Sequence, residues 1–184
     1  LGAKTIPDEL EMFRSCLLQN MQLSPDFIIS SGAVSAGDYD FVRKELEKIG
    51  AEILFHKVKM KPGKPNLLAK LPNGSLYFGL PGNPVATAVG LRFFVAPTMR
   101  RLLGLPDEAP VKARALNDFR KRPGLQVFLK ARRTYLEDGT IGIEFLNGQE
   151  SFMVSPFLHM NAWAIIPEEA ESIKAGELID TYAV

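Results

Sequence analysis

A change of periodicity near residue 105 constrains this chain more than any other feature. Before it, apolar residues recur at three- and four-residue steps in some segments and in short strand-like runs in others; after it, only short strand-like runs remain. Alternating helix and strand patterns argue for an α/β layer, and short strands between turn pairs argue for a small sandwich or barrel. The boundary is expected in Leu105-Pro106-Asp107-Glu108-Ala109-Pro110, dividing the chain into 1–106 and 107–184. At about 100 to 200 residues per domain, 184 residues accommodate two small ones.

In the first part, Leu10, Phe13, Leu17, Leu18 and Met21 predict an amphipathic helix over 8–21, stopped by Ser24-Pro25. Phe27-Ile28-Ile29 reads as a strand buried on both faces of a parallel sheet. A helix over 40–49 follows, with Gly50 as its left-handed cap. Alternation over 53–60 predicts one strand that places Lys57 and Lys59 on a single face, continued by Lys61. Asn73-Gly74 predicts a hairpin between runs at 67–69 and 76–78. A helix over 85–103 is expected to bend near Pro97 and end at Gly104. Beyond it, strand patterns lie at 111–116, 127–135, 141–146, 162–166 and 178–182.

Lys plus Arg is 22 against Asp plus Glu 21, so a net charge of +1 supplies no overall field for nucleic acid or an anionic membrane. Any anion must be met locally. The single cysteine, Cys16, forms no internal disulfide and suits a small hydrophobic position in a reducing, cytoplasmic setting. No run reaches the roughly 18 apolar residues of a spanning helix. Leu1-Gly2-Ala3-Lys4 lacks the order of a signal peptide and reads as a cut.

Three segments have the residue types for chemistry. Ser30, Ser31, Gly32, Ser35 and Gly37 follow a strand and precede a helix, where backbone N–H groups and a helix terminus can meet an anion. The same composition also suits an ordinary connection. Asp38 and Asp40 come next, as helix caps or, beside a phosphate, as metal ligands. Lys57, Lys59, Lys61 and Lys64 form either a solvated edge or a cationic wall that needs an anion. Pro81-Gly82-Asn83-Pro84 fixes a sharp turn before a helix, for packing or for holding backbone against a ligand. His56 and His159 lack partners at zinc-ligand spacing, and Trp163 suits a core. Arg114, Arg120, Lys121, Arg122, Lys130, Arg132 and Arg133 read as solvated strand faces.

Taken in order, the segments 31–40, Lys61-Pro62-Gly63-Lys64-Pro65 and Gly79-Leu80-Pro81-Gly82-Asn83-Pro84-Val85 resemble the molybdopterin molybdenumtransferase family, the MoeA and gephyrin E-domain proteins. The resemblance extends through the β-rich tail to Ile173-Lys174-Ala175-Gly176-Glu177-Leu178. It implies a three-layer molybdopterin-binding α/β domain lacking its first strand, followed by a small all-β barrel. It further implies a cytoplasmic homodimer that inserts molybdate into adenylylated molybdopterin with Mg2+ and releases AMP. Asp40, Lys57 and Lys61 would be catalytic, with Asp40 as the metal ligand. Ser31, Gly32, Ala33, Ser35, Gly37, Asp38, Lys64, Pro81, Gly82, Asn83, Pro84 and Ser155 would hold the pterin nucleotide.

The chain departs from the family at Ala33, where the family has a second loop glycine, and at Gln149-Glu150-Ser151-Phe152-Met153, where it has a small Gly-Ser-Gly segment. Those departures motivate a rival expectation, a non-catalytic molybdopterin-binding or scaffold module. A third, an adenylyltransferase-like domain, is weakened by the β-rich tail. The resemblance also places a strand and an acidic loop upstream of Leu1.

Overall fold

A computed structural model of the chain describes residues 2–32 and 41–184. They form two compact units, one of Leu1–Val58 with Pro65–Gly82 and one of Lys59–Lys64 with Asn83–Val184. In chain order the first half carries α1 (Leu10–Gln22), β1 (Phe27–Ser31), α2 (Phe41–Lys48), β2 (Glu52–His56), β3 (Met60–Lys61), β4 (Leu67–Lys70) and β5 (Leu76–Leu80). Helices α3 (Pro84–Gly90) and α4 (Ala96–Leu102) follow, joined through a π-helical segment, Leu91–Val95. Then come β6 (Val111–Ala115), β7 (Phe119–Arg120), β8 (Gln126–Tyr135), β9 (Ile141–Phe145), a 3-10 turn at Ser155–Leu158, β10 (Ala162–Ile166), β11 (Ser172–Ile173) and β12 (Leu178–Ala183).

The first unit is built on a four-stranded mixed sheet in the order β1-β5-β4-β2. Only β1 and β5 are parallel; β4 pairs antiparallel with both β5 and β2. The β4–β5 hairpin turns at Asn73-Gly74 as expected, with Asn73 Oδ1 accepting the Ser75 N–H at 3.1 Å. Phe13 and Leu17 of α1 and Val42 and Leu46 of α2 pack on Leu67, Ala69 and Tyr77 to form the core. Glu45, buried on α2, is paired by Lys48 a turn later and approached by Arg14 of α1 at 3.9 Å. Gly50 adopts φ +83° and closes α2, with Ala51 N–H donating to Leu46 and Gly50 N–H to Glu47, the pattern of a left-handed cap.

Two expectations here need correction. β1 is not buried on both faces: it lies at one edge of the described sheet, and Ile29 is 44% exposed. The predicted strand over 53–60 is two strands in two sheets. β2 stops at His56, Lys57 adopts φ +67°, and β3 pairs instead with β8 of the second unit. An alternating pattern can span such a break because periodicity carries no record of which partner supplies the backbone hydrogen bonds.

The second unit is a barrel closed in the order β10-β12-β6-β9-β8, with β8 pairing back to β10. A five-stranded barrel leaves little interior, and small side chains fill much of it: Ala113, Ala115, Ala131, Ala162 and Ala164 sit among Leu129, Ile143, Phe145 and Ile166. The expected helix over 85–103 forms, with the π-helical segment just before Pro97. Pro97 has no N–H for an i→i−4 bond, and the Ala96 N–H reaches back five residues to Leu91. Phe93 of this segment packs at a tilt against Phe128 and edge-to-face against Trp163 and Tyr182, on the outer face of the barrel.

The stretch at 104–110 is pinned to the same helices. Arg101 grips Asp107 at 2.8 and 2.9 Å, Arg100 donates to the Pro106 carbonyl at 2.9 Å, and Arg92 holds both oxygens of Glu108 at 2.7 Å. The change of texture therefore lies inside the second compact unit.

Candidate functional site

The parallel pairing of β1 with β5 is what assembles the small-residue loops. In register, Ser30 faces Gly79 and Ser31 faces Leu80, so both strands release their chains at the same end of the sheet. Gly32 N–H still donates to the Leu80 carbonyl at 3.3 Å, and its φ of +108° is one that glycine adopts freely and side-chain-bearing residues rarely do. Gly82 lies directly against it. A Cβ at Gly82 would stand 2.9 Å from the Gly32 Cα, closer than real Cβ contacts come. Two glycines thus let the Ser31-Gly32 and Pro81-Gly82 backbones pass side by side at the carboxyl ends of parallel strands, where open α/β sheets receive their ligands.

Ser30 is held from below. Its Oγ hydrogen-bonds the hydroxyl of Tyr77, a residue of β5 that is 1% exposed and packs edge-on against Phe13. Burial pushes the Tyr77 hydroxyl above its ordinary range, so the ring stays neutral and able to donate. Sequence reasoning did not single out Tyr77. Its signal is its place in the β5 run, one strand across from Ser30.

The lysines separate. Lys57 belongs to the first unit, exposed at its left-handed turn with its N–H donating to the Asn66 carbonyl at 3.1 Å. Lys59, Lys61 and Lys64 belong to the second, so the single cationic strand face does not form. Lys59 pairs with Glu168 at 2.9 Å, which raises its pKa. Lys61 and Lys64 are exposed, Lys61 on β3 opposite Val127. Asn83 and Pro84 open α3 in the second unit, where the Asn83 carbonyl accepts the Thr87 N–H at 2.9 Å. The Asn83 Oδ1 is buried and has no hydrogen-bond partner among the described residues. Ser155 is exposed at the start of the 3-10 turn. Ala33, Ser35, Gly37, Asp38 and Asp40 lie outside the described residues.

One residue read as a solvated strand face is not: Lys130 is 1% exposed, and its ammonium donates to the Gly148, Glu150 and Met153 carbonyls. The signal was present in β8, where Phe128, two residues earlier on the same face, marks that face as covered. Among the described residues no group of three or more His, Cys, Asp or Glu side chains is placed to hold a metal ion, and no helix is long and apolar enough to cross a membrane.

Comparison with known proteins gives two family matches in chain order. Residues 2–101 match the family described as a probable molybdopterin binding domain, and residues 112–184 match the MoeA C-terminal region, domain IV. The molybdopterin molybdenumtransferase of Synechococcus elongatus is 33% identical over 178 residues, covering 95% of this chain and 42% of that protein. That of Staphylococcus aureus is 31% identical over 179 residues, covering 96% and 42%. The molybdopterin biosynthesis MoeA protein of Pyrococcus horikoshii superposes with a TM-score of 0.72 at 24% identity, covering 98% of this chain and 41% of that one. A molybdenum cofactor biosynthesis protein of Pyrococcus furiosus gives 0.70 at 21%, covering 97% and 56%. The structural likeness shows a shared fold, and the chain spans less than half the length of the curated relatives it matches.

Proposed function

Since the chain belongs to the molybdopterin-binding domain family and carries the MoeA C-terminal region behind it, we propose that it is the pterin-holding part of a molybdopterin molybdenumtransferase. In this reading 1–106 corresponds to the molybdopterin-binding α/β domain and 107–184 to the barrel domain. The whole enzyme inserts molybdate into adenylylated molybdopterin, releases AMP, and works as a cytoplasmic homodimer. The observation that carries the proposal is the apposition of Gly32 and Gly82 at the ends of β1 and β5, where a Cβ on Gly82 would collide with the Gly32 backbone and open α/β sheets receive their ligands.

Within the site, Ser31, Gly32, Pro81 and Gly82 would cradle the pterin phosphate, with Ala33, Ser35, Gly37 and Asp38 continuing the loop. Lys57, Lys61 and Lys64 would supply the positive charge that oxyanions of phosphate and molybdate require, and Asn83, Pro84 and Ser155 would complete the contacts. Mg2+ would be held by Asp40 and would screen the phosphate charge when bound. Asp40 lies outside the described residues, and no step of the proposal runs through the cation.

Calorimetry of molybdopterin binding to the intact protein tests the assignment. Lys57→Ala with Lys61→Ala is expected to weaken binding by at least tenfold, since each charge-assisted contact is worth about 1.5 to 3 kcal/mol. Unchanged affinity in the double variant would remove the lysines from the site. The rival binding-module reading, motivated by Glu150 in place of a small residue, predicts normal molybdopterin affinity in a protein that fails to restore cofactor synthesis to cells lacking their insertase.

A further inference from the structure

Two exposed lysines of the second unit stand on a loop whose own backbone is covered. Lys61 and Lys64 face water, whereas Pro62 and Gly63 between them are buried. Covered backbone fixes where its flanking side chains begin, so whatever holds this loop decides where two cations of the candidate site start. The chain enters it through β3, only two residues long, which pairs with the first residues of β8, Met60 with Gln126 and Lys61 with Val127. One further bond flanks that pairing, from the Gln126 N–H to the Lys59 carbonyl at 3.0 Å. So short a ladder is marginal on its own and takes its order from what fixes its partner.

The partner is fixed by Lys121 and Glu168. The Lys121 ammonium donates to the Leu125 carbonyl at 2.9 Å and to the Glu168 carbonyl at 2.8 Å, while the Lys121 N–H donates to the Glu171 carbonyl at 2.8 Å. Residues 121–125 thus fold back around an ammonium, and the Gly124 N–H closes the turn on the same Glu168 carbonyl at 3.0 Å. Lys121 is half-buried, not the solvated side chain that the basic run Arg120-Lys121-Arg122 suggests. Glu168 acts from both ends: its carbonyl collects two donors from the turn, and its carboxylate takes the Lys59 ammonium at 2.9 Å. That ion pair is exposed on the Lys59 side and contributes little by itself; the ammonium-to-carbonyl bonds are the stronger part. Together they hold 121–126 directly before the residues on which β3 lies.

We propose that Lys121 is a positioning residue for the anion site: its ammonium, with Glu168, holds 121–126 as the platform on which β3 docks, and thereby fixes where Lys61 and Lys64 meet the oxyanions of molybdopterin. The ligand half of this inference rests on the function proposed above. Lys121 acts only through the exposed lysines, so its loss matters to binding while they are present.

The test reads amide hydrogen exchange and molybdopterin calorimetry together in the intact protein. Lys121→Met, which keeps the stem and removes the donors, is expected to raise exchange at Gly124 and Gln126 by about tenfold and to weaken molybdopterin about fivefold, with β10 and β12 amides still protected. Lys121→Arg is expected to restore most of both. In a protein already carrying Lys61→Ala, Lys121→Met is expected to raise exchange as before but to cost only about twofold in affinity, because one cation it positions is gone. Unchanged exchange at Gln126 overturns the proposal. So does raised exchange with unaltered affinity, and so does an affinity cost that is the same with and without Lys61, which would make Lys121 independent of that lysine. Should Lys121→Met fail to fold, Glu168→Gln releases Lys59 while leaving the Glu168 carbonyl, and is expected to raise exchange at Gln126 about two- to threefold; unchanged exchange there overturns the platform. Wild-type protein that binds no molybdopterin overturns the function reading, and the exchange comparison still decides whether Lys121 holds the platform for β3.

Discussion

The two units shape their backbone by opposite means. In the first, Gly82 lies against Gly32 because Gly82 has no side chain, and the contact is made by what is missing. In the second, the loop at 148–153 is shaped by a long charged side chain driven into a covered face, with its donors spent on carbonyls. The first arrangement tolerates no Cβ at Gly82. The second tolerates changes of loop sequence, since carbonyl oxygens are common to every residue, but not the loss of the donor. This difference explains how Gln149-Glu150-Ser151-Phe152-Met153 can depart from a small-residue pattern while the loop still has a defined anchor.

Gly82→Val should break the comparison most severely. A Cβ 2.9 Å from the Gly32 Cα meets backbone rather than a yielding side chain, so the two loops must separate. Molybdopterin binding is expected to fall below detection by calorimetry, with a stability loss of about 1 to 3 kcal/mol of the kind overpacking produces. Retention of wild-type affinity would show that the apposition is packing alone.

Tyr77→Phe is a gentler test of the same unit. It keeps the ring against Phe13 and removes only the hydroxyl that holds Ser30. Chemical denaturation is expected to show a loss of about 0.5 to 1.5 kcal/mol, and molybdopterin affinity should fall only a few-fold because Ser30 then turns to water. An effect on affinity as large as that of Gly82→Val would mean that Ser30 itself touches the ligand.

The smallest expected effect lies in the barrel and depends on pH. Asp118 accepts a hydrogen bond from Lys174 at 2.7 Å and one from the Ala175 N–H at 2.9 Å, and these hold its carboxyl below the ordinary carboxylate range. A carboxyl lowered in the folded state stabilises above its unfolded value, and that contribution is lost as pH falls through the folded one. Asp118→Asn should therefore lower the melting temperature slightly at neutral pH and flatten its decline below about pH 4. A decline as steep as in the unaltered chain would assign acid sensitivity to other carboxylates.

Much of this was legible in the residues. The helix at Leu10–Gln22 followed from Phe13 and Leu17, the hairpin from Asn73-Gly74, the left-handed caps from Gly50 and Gly104, and the bend from Pro97. Each is local: a turn residue or a period acts within a few positions, so the sequence carries the whole cause. The small-residue loop and the Pro-Gly-Asn-Pro turn were legible in the same way, as composition. Their neighbourhood was not, because the register that sets Ser31 beside Leu80 joins segments about fifty residues apart.

Sequence by itself determined which segments are helical or extended, that an α/β part precedes a β-rich one, and that the family's ordered motifs are present. The tertiary structure decided what those segments do to one another. It split an apparently continuous strand at Lys57, because β3 finds its hydrogen bonds on β8 and not on β4. It also turned Lys130 from an expected solvated charge into a buried one. Whether a lysine faces water depends on what covers its strand, and here that cover is Phe93 and the loop at 148–153, supplied from elsewhere in the chain.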